Sequence, residues 1–419
     1  MNYYLQKFKD NILIASIIIC SLSIYLPTIF KSLSITLFAF SIILYYILNA
    51  KKPEFNFNRT NSLLIVLYLL YIIGTFYSQN TKEALFDLEV KLPIIIFPFL
   101  FFFVPKHIFS TKNFNIISWV IVFGLLINII FCFTKGIISW NNSSFDLLYN
   151  LTYVRLSSPN HPSYLSLFAS ISIVLLYKLP LSISFFKIIN CINGIKATLI
   201  AIIGVFIFML QSKSGIILLG ISLLFIVWDI WFIKKKRIYS IVVLLLVVVS
   251  FFLNFNVKAL NGRYVNAIEV IKEENDTKKT HNSTSERLDL YKSSINLFVQ
   301  SPIFGYGSGD AKDVLKSRLK DSRDSYLNSL NAHNQFFQTA LSIGGIGLLV
   351  LLSLFIIPII YAIRSKHYVL VIILINFAIG FLFEAMLERI MGVYAFSFIL
   401  VVINLFIGKE KMKHLKKTK

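Results

Sequence analysis

ERLDLYKSSINLFVQSPIFGYGSG (286–309) and, after a short charged run, NAHNQFFQTALSIGGIG (331–347) decide how this chain is organised. They close a polar segment, 256–335, in a chain of 419 residues that is otherwise almost continuously apolar. A charged insert between hydrophobic stretches must lie in water on one side of a bilayer, because the hydrocarbon core cannot solvate charges or free backbone groups. His333 and Asn334 stand where the chain turns apolar again. That puts polar chemistry at a membrane surface.

Working outward, 57% of the residues are hydrophobic, 15% are charged and the mean hydropathy is +0.74. No soluble domain of this size needs so much apolar surface. Apolar windows of membrane-spanning length alternate with Lys/Arg clusters, and alternating strand patterns are absent, which argues against a β-barrel. The pattern predicts an all-α polytopic membrane protein with about twelve spans: 11–30, 32–48, 62–78, 92–104, 114–134, 164–178, 197–211, 214–233, 239–255, 335–363, 368–384 and 390–408. Residues 1–255 thus hold nine spans, 256–335 form the long loop, 336–408 hold three spans, and 409–419 are a basic tail. The span at 92–104 carries Pro93 and Pro98 and is expected to be tilted, broken or partly re-entrant. The stretch 11–30 follows Lys7 and Lys9 but has no small-residue cleavage site, so it reads as a first helix, not a signal peptide. Cys20, Cys132 and Cys191 lie in or beside apolar segments and match neither a metal site nor a disulfide framework.

The net charge of +21 would suggest a nucleic-acid partner in a soluble protein. Here it reads as anchoring charge, and the expected partner is the bilayer, not nucleic acid. Segments assigned to the inside, among them 51–59, 105–112, 234–237, 364–367 and the tail, carry 22 Lys/Arg. Outer segments other than the long loop carry seven: Lys31, Lys82, Lys91, Lys135, Arg155, Lys213 and Arg389. The asymmetry places both termini inside and the long loop outside. That loop is nearly neutral, with twelve Lys/Arg and ten Asp/Glu. Helices are predicted at Tyr264–Glu274 and Glu286–Val299, the second capped by Ser285 and with Leu288, Tyr291, Ile295 and Phe298 on one face. It should stop at Ser301-Pro302, with Gly305-Tyr306-Gly307 as a turn. The polar run Glu273–Ser285 reads as the most mobile part.

Sorting chemistry by side narrows the candidates. His107, His367 and His414 fall inside, whereas His161, His281 and His333 fall outside. An imidazole at a membrane mouth suits a general base near neutral pH, so His333 leads and His161 follows. Six of nine arginines fall outside, against the lysine trend: Arg155, Arg263, Arg287, Arg318, Arg323 and Arg389. Guanidinium grips phosphate bidentately, which points to a phosphorylated lipid headgroup. Lys213 sits in the tight turn 211–214, where it either snorkels or contacts phosphate. Glu384 and Glu388-Arg389 interrupt the last apolar runs, either as a mutual ion pair or to orient a substrate or a basic side chain; Glu89 and Lys91 form a similar outer pair. The glycines of SIGGIG (342–347) read as helix-packing positions. Nucleotide loops, HExxH, CxxC and DxD are missing, and Asp87-Leu88-Glu89 is an isolated DxE string. No cofactor and no metal are therefore expected.

RLDLYKSSINLFVQSPIFGYGSG followed by HNQFFQTALSIGGIGLL resembles the signature region of the O-antigen ligase and O-antigen polymerase superfamily. The resemblance extends to RLSSPNHPSY (155–164), LQSKSGIILL (210–219) and FEAMLERIMGVYAF (383–396). It implies a multi-pass protein of the bacterial inner membrane with a periplasmic active site. The implied donor is a glycan on undecaprenyl diphosphate. The implied acceptor is lipid A–core for a ligase, or a lipid-linked glycan for a polymerase. It further implies His333 as the catalytic base and Arg287 as a diphosphate ligand, with Lys213 where the family usually has the Arg of a Ser-Arg pair. Arg155, His161, Asn334, Glu384 and Glu388 complete the candidate substrate-binding set. Two alternatives stay open: a transporter or flippase of lipid-linked glycan, and, within transferases, a protein O-oligosaccharyltransferase.

Overall fold

The computed structural model describes residues 2–49, 52, 53, 55–142, 146–180, 189–241, 244, 245, 283–320 and 331–417. Among them every regular element is helical. In chain order these are α1 Asn2–Ser23, α2 Thr28–Asn49, α3 Arg59–Phe76, α4 Thr81–Lys91, α5 Pro93–Phe102, α6 Thr111–Asn141, α7 Leu147–Asn150 and α8 Tyr153–Ser157. Then follow α9 Pro162–Lys178, α10 Ile189–Met209, α11 Lys213–Trp228, α12 Ser283–Gln300, α13 Ala311–Lys320, α14 Gln335–Arg364, α15 Tyr368–Phe383 and α16 Ile390–Lys417.

Among the described residues six helices are long and apolar enough to cross a membrane: Thr28–Asn49, Arg59–Phe76, Thr111–Asn141, Lys213–Ile233, Gln335–Arg364 and Ile390–Ile407. Pro162–Lys178, Gly194–Met209 and Tyr368–Phe383 are shorter apolar helices. Two expected spans differ, and a third is not tested. The first, 11–30, is instead α1, and the chain breaks at Ile24–Pro27 before α2. The span expected at 92–104 is the ten-residue α5. At 1.5 Å per residue it reaches about 15 Å, half a hydrocarbon core of about 30 Å. The span at 239–255 lies, apart from a few residues, outside the described residues, as do the helix at 264–274, His281, Arg263 and Arg323.

The chain forms two compact units. Unit 1 comprises Met1–Ile121, Leu290–Leu374 and Phe381–Lys419. Its central element is α16, whose apolar part Ile390–Ile407 is 94% buried. Such a helix can be nearly all apolar because other helices, not lipid, surround it. Polar side chains bind its neighbours to it: Tyr394 Oη lies 2.7 Å from Ser34 Oγ and donates to the Cys20 carbonyl (2.9 Å), and Asn404 Nδ2 donates to Asn61 Oδ1 (2.9 Å). Cys20 and Cys132 are free and buried.

Within unit 1 the two decisive sequence stretches meet. α14 breaks at Ile343-Gly344, where Gly344 takes φ +69°. The turn after α12 enters that break: Gly345 N donates to Pro302 O (2.7 Å), Tyr306 N to Leu341 O (2.8 Å) and Gly307 N to Ser342 O (3.0 Å). A Cβ on Gly344 would stand 1.9 Å from the Ile303 carbonyl oxygen, so only glycine fits. The glycines read as helix-packing positions therefore receive a backbone turn. The predicted face of α12 is also corrected. Leu288 and Ile295 are exposed, while Leu290, Ser294 and Leu297 are buried, the two leucines in a core with Ala311, Leu315, Ala332 and Leu341. The helix carries two apolar stripes: Leu290 and Leu297 make the core, and Tyr291 of the predicted face packs against it beside Phe337.

Unit 2 comprises Val122–Asp289 and Ile375–Gly380. Here α9 is central, with every residue from Pro162 to Leu176 buried. α11 runs parallel to it. Ser212 lies against Ser163 (3.5 Å), Ser222 Oγ donates to Ser170 O (3.3 Å), and Tyr177 Oη donates to Asp229 Oδ2 (2.7 Å). Gly215 permits this approach, since a Cβ there would sit 2.5 Å from Ser166. Gly215→Ala should lower thermal stability by about 1–3 kcal/mol through overpacking. Gly204→Ala, where a Cβ meets nothing within 4 Å, should leave the melting temperature unchanged or raise it. Thermal unfolding of the purified variants in one detergent checks both.

Candidate functional site

Unit 1 places His333 in the short link before α14. The backbone there is held in the left-handed region, φ +46°, which non-glycine residues seldom adopt. Several bonds hold it. His333 N donates to Asn331 Oδ1 (2.8 Å), Ala332 N to Gln338 Oε1 (3.0 Å), and Tyr291 Oη lies 3.3 Å from the His333 carbonyl while donating to Leu382 O (2.8 Å). Asn334 is the cap of α14, its Oδ1 accepting from Phe336 N (2.9 Å) and Phe337 N (3.2 Å). That side chain is thus committed to the helix end. Strain of this kind costs about 1–3 kcal/mol and persists only where the surroundings impose it.

The constraint turns the imidazole toward a carboxylate. His333 Nδ1 lies 3.2 Å from Glu384 Oε1, with the histidine side chain 37% exposed and the glutamate 7%. Of the two sequence readings for Glu384, the structure shows the second: it faces a basic side chain. At that distance the carboxylate can pair with the ring once the ring is protonated, and Nε2 is the nitrogen left to exchange a proton.

Glu388 has a different environment. It accepts from Lys91 Nζ (2.9 Å) and pairs with Lys312 Nζ (3.0 Å), while Lys91 also contacts Asp87. Lys312 reaches Glu83 as well (3.0 Å). Lys91 is fully buried, its amine 4.6 Å from the centre of the Tyr71 ring. Burial pushes the Asp87 carboxyl up to about 6, with Lys91 pulling it back. Burial acts the same way on Glu388, but Lys91 and Lys312 together overcome it and hold that carboxyl down at about 2. The ion pairs expected from sequence, Glu388 with Arg389 and Glu89 with Lys91, are replaced by these; Arg389 and Glu89 are exposed. The pairing partners are far apart in sequence, so spacing did not reveal them. The network abuts His333 through α14: Leu387 N donates to Gln335 Oε1 (2.6 Å), and Thr339 Oγ1 lies 3.1 Å from Gln335 Nε2 and 3.2 Å from Tyr71 Oη.

Unit 2 places Lys213, His161 and Arg155 at one end of α9 and α11. His161 Nδ1 accepts from Ser163 N (3.4 Å) and caps α9, and Ser212 Oγ accepts from Gly215 N (3.2 Å) and caps α11. Both caps are uncharged acceptors, so neither cancels the positive helix end as an aspartate would. Lys213 is half-buried in the first turn of α11. Nearby, Lys135 donates to the Ser158 carbonyl (2.8 Å), and exposed Arg155 stacks on Tyr149, 3.4 Å from the ring centre. Parallel helix N-termini with a lysine in the first turn give this end of unit 2 a positive potential. Arg287 is half-buried near the start of α12. Among the described residues no group of three or more His, Cys, Asp or Glu side chains is arranged to hold a metal ion.

Residues 198–352 match the family model described as O-antigen ligase. A Haemophilus influenzae protein carrying the name "Uncharacterized protein" is 24% identical over 139 residues, 32% of this chain and 35% of that protein. The chain thus spans about a third of the length of the curated relative it matches. The family match takes in Lys213, Arg287, His333 and Asn334, and leaves Arg155, His161, Glu384 and Glu388 outside.

The ion network should behave structurally. Lys91→Ala strands the buried Asp87, leaves Glu388 with Lys312 alone, and should cost about 3–5 kcal/mol. Replacing the cluster together, Lys91→Met with Asp87→Leu and Glu388→Gln, should restore most of the loss in detergent melting curves.

Proposed function

We propose that this chain transfers a glycan from undecaprenyl diphosphate to a sugar hydroxyl at the periplasmic face of the inner membrane. The family match and the six apolar helices support an O-antigen ligase/polymerase-type family and a multi-pass membrane protein. That family implies a membrane glycosyltransferase or ligase activity. The observation that carries the reading is His333, strained at the mouth of α14 with Nδ1 against Glu384.

In this reading the acceptor hydroxyl gives its proton to His333 Nε2 as its oxygen attacks the anomeric carbon. The bond from that carbon to the diphosphate oxygen breaks, and the diphosphate leaves with the electron pair. Glu384 holds the ring and stabilises the imidazolium that forms. Lys213, the neutral-capped helix ends and Arg287 meet the charge on the diphosphate. Glycan transfer asks for no transmembrane passage of charge. The cation-paired carboxylates Asp87 and Glu388 accordingly act as scaffold, not as an ion path.

The test is transfer by purified protein in nanodiscs, with lipid-linked donor and acceptor. His333→Ala should reduce turnover by about 10²–10⁴-fold with donor binding retained. Glu384→Gln should lower kcat and shift its pH profile, with KM little changed. Lys213→Ala and Arg287→Lys should weaken donor binding, the second because a point charge cannot replace a planar fork. Near-normal transfer by His333→Ala removes it from the mechanism. Excess EDTA should leave activity intact; loss with EDTA and recovery with Mg²⁺ would require a metal. A deletion strain separates the subclasses: unattached polymer on the lipid carrier marks a ligase, and single repeat units mark a polymerase.

A further inference from the structure

The far end of unit 2, where α9 and α11 finish, holds a second charged cluster that glycan transfer does not use. Its centre is Asp229, 1% exposed, at the start of a π-helical turn, Asp229–Ile233. Asp229 accepts from Tyr177 Oη and Lys178 Nζ, both at 2.7 Å. Lys234 Nζ lies 4.4 Å from the centre of the Tyr177 ring, and Lys196, near the start of α10, donates to the Leu179 carbonyl. Three amines from three elements are therefore positioned, not left loose in solvent. The π turn matters to this: Lys234 N closes on Asp229 O (2.9 Å) and Lys236 N on Ile230 O (3.0 Å), which sets Lys234 over Tyr177.

The charges do not balance. Among the described residues, the ion pair at this cluster is that of Lys178 with Asp229, while Lys196, Lys234, Lys235, Lys236 and Arg237 add five further positive charges. Two helix C-termini add roughly half a negative charge each, which leaves most of the surplus uncompensated. Burial lowers the Lys234 amine, and Lys178 and Lys236 lower it further against the pull of Asp229. Aromatic side chains flank the cluster, with Arg237 5.6 Å from the Trp231 ring centre and Lys236 5.7 Å from that of Tyr239. Tryptophan and tyrosine of this kind favour the headgroup level of a bilayer.

We propose that Lys178, Lys196 and Lys234 form a seat for the phosphate of an anionic phospholipid headgroup, organised by Asp229 and the π turn. On the charge asymmetry of the sequence, the lipid is one of the cytoplasmic leaflet. The seat does not depend on the glycan-transfer reading and goes beyond anchoring by diffuse charge, because it assigns position as well as sign.

The test measures binding of phosphatidylglycerol to the full-length protein in detergent, by native mass spectrometry and by the rise in Tm, with phosphatidylcholine and inorganic phosphate as parallel probes. Phosphatidylglycerol should bind saturably and raise Tm, and phosphatidylcholine should not. Lys196→Ala/Lys234→Ala should weaken phosphatidylglycerol by roughly tenfold or more. Lys235→Ala/Lys236→Ala removes the same charge outside the seat and should change affinity little. Equal losses in the two double variants would overturn the proposal in favour of diffuse attraction. An equal Tm rise with inorganic phosphate would overturn it in favour of a free-anion site, and no difference between the two lipids would overturn it outright.

Discussion

The break in α14 is the constraint on which the rest of unit 1 depends. Had the helix continued through Ile343-Gly344, the 302–307 turn would have no backbone partners, and its N–H and C=O groups would go unsatisfied beside apolar helices. Because it breaks, the turn docks and brings α12 and α13 against the first turns of α14. The buried leucines of α12 and α13 then pack with Ala332 and Leu341, on either side of His333. Asp310, at the end of the same turn, accepts from Gln79 N (2.6 Å) and Asn80 N (2.7 Å) and so fastens this assembly to the start of α4. The left-handed backbone at His333 follows from that packing, not from the histidine itself.

The buried charges extend the same assembly. Lys91 comes from α4, Glu388 from the junction before α16 and Lys312 from α13, so one network ties three polar segments at one end of unit 1. Its energy depends on completeness, because an unpaired charge there would cost far more than a pair returns. Such a network adds little net stability, but it fixes which polar segment meets which. The 384–388 junction is positioned by it, and Glu384 reaches His333 from that junction.

Much of this was legible in the sequence, and the limits have physical causes. Helix class and the main apolar stretches follow from hydropathy, since lipid leaves few other backbone solutions. The break of α14 did not: SIGGIG reads equally as a packing surface, and only the arrival of Pro302 and Ile303 distinguishes the two. His333 and Glu384 were each visible as polar residues at helix mouths. Their contact was not visible, because 51 positions of chain separate them. The partners of Lys91 were missed for the same reason, the nearer Glu89 being exposed while Asp87, one turn back on the helix, is buried. Arg287, Lys213 and Arg155 stood out by residue type alone.

Lys213 stands where the superfamily that the sequence resembles usually has arginine, and its surroundings give it a physical reading. An arginine earns its place at a phosphate by offering directed donors as well as charge. At the ends of α9 and α11 the backbone already supplies directed N–H groups, and the caps, His161 Nδ1 and Ser212 Oγ, take only some of them. Because both caps are neutral, the two helix ends keep their positive potential. What remains to be provided is charge without strict geometry, and an ammonium on a flexible stem provides that. On the proposed reading, direction from the backbone and charge from the side chain together would do the work of one guanidinium. A lysine is then compatible with anion binding at this end of unit 2, where in an exposed turn it would be a poor substitute.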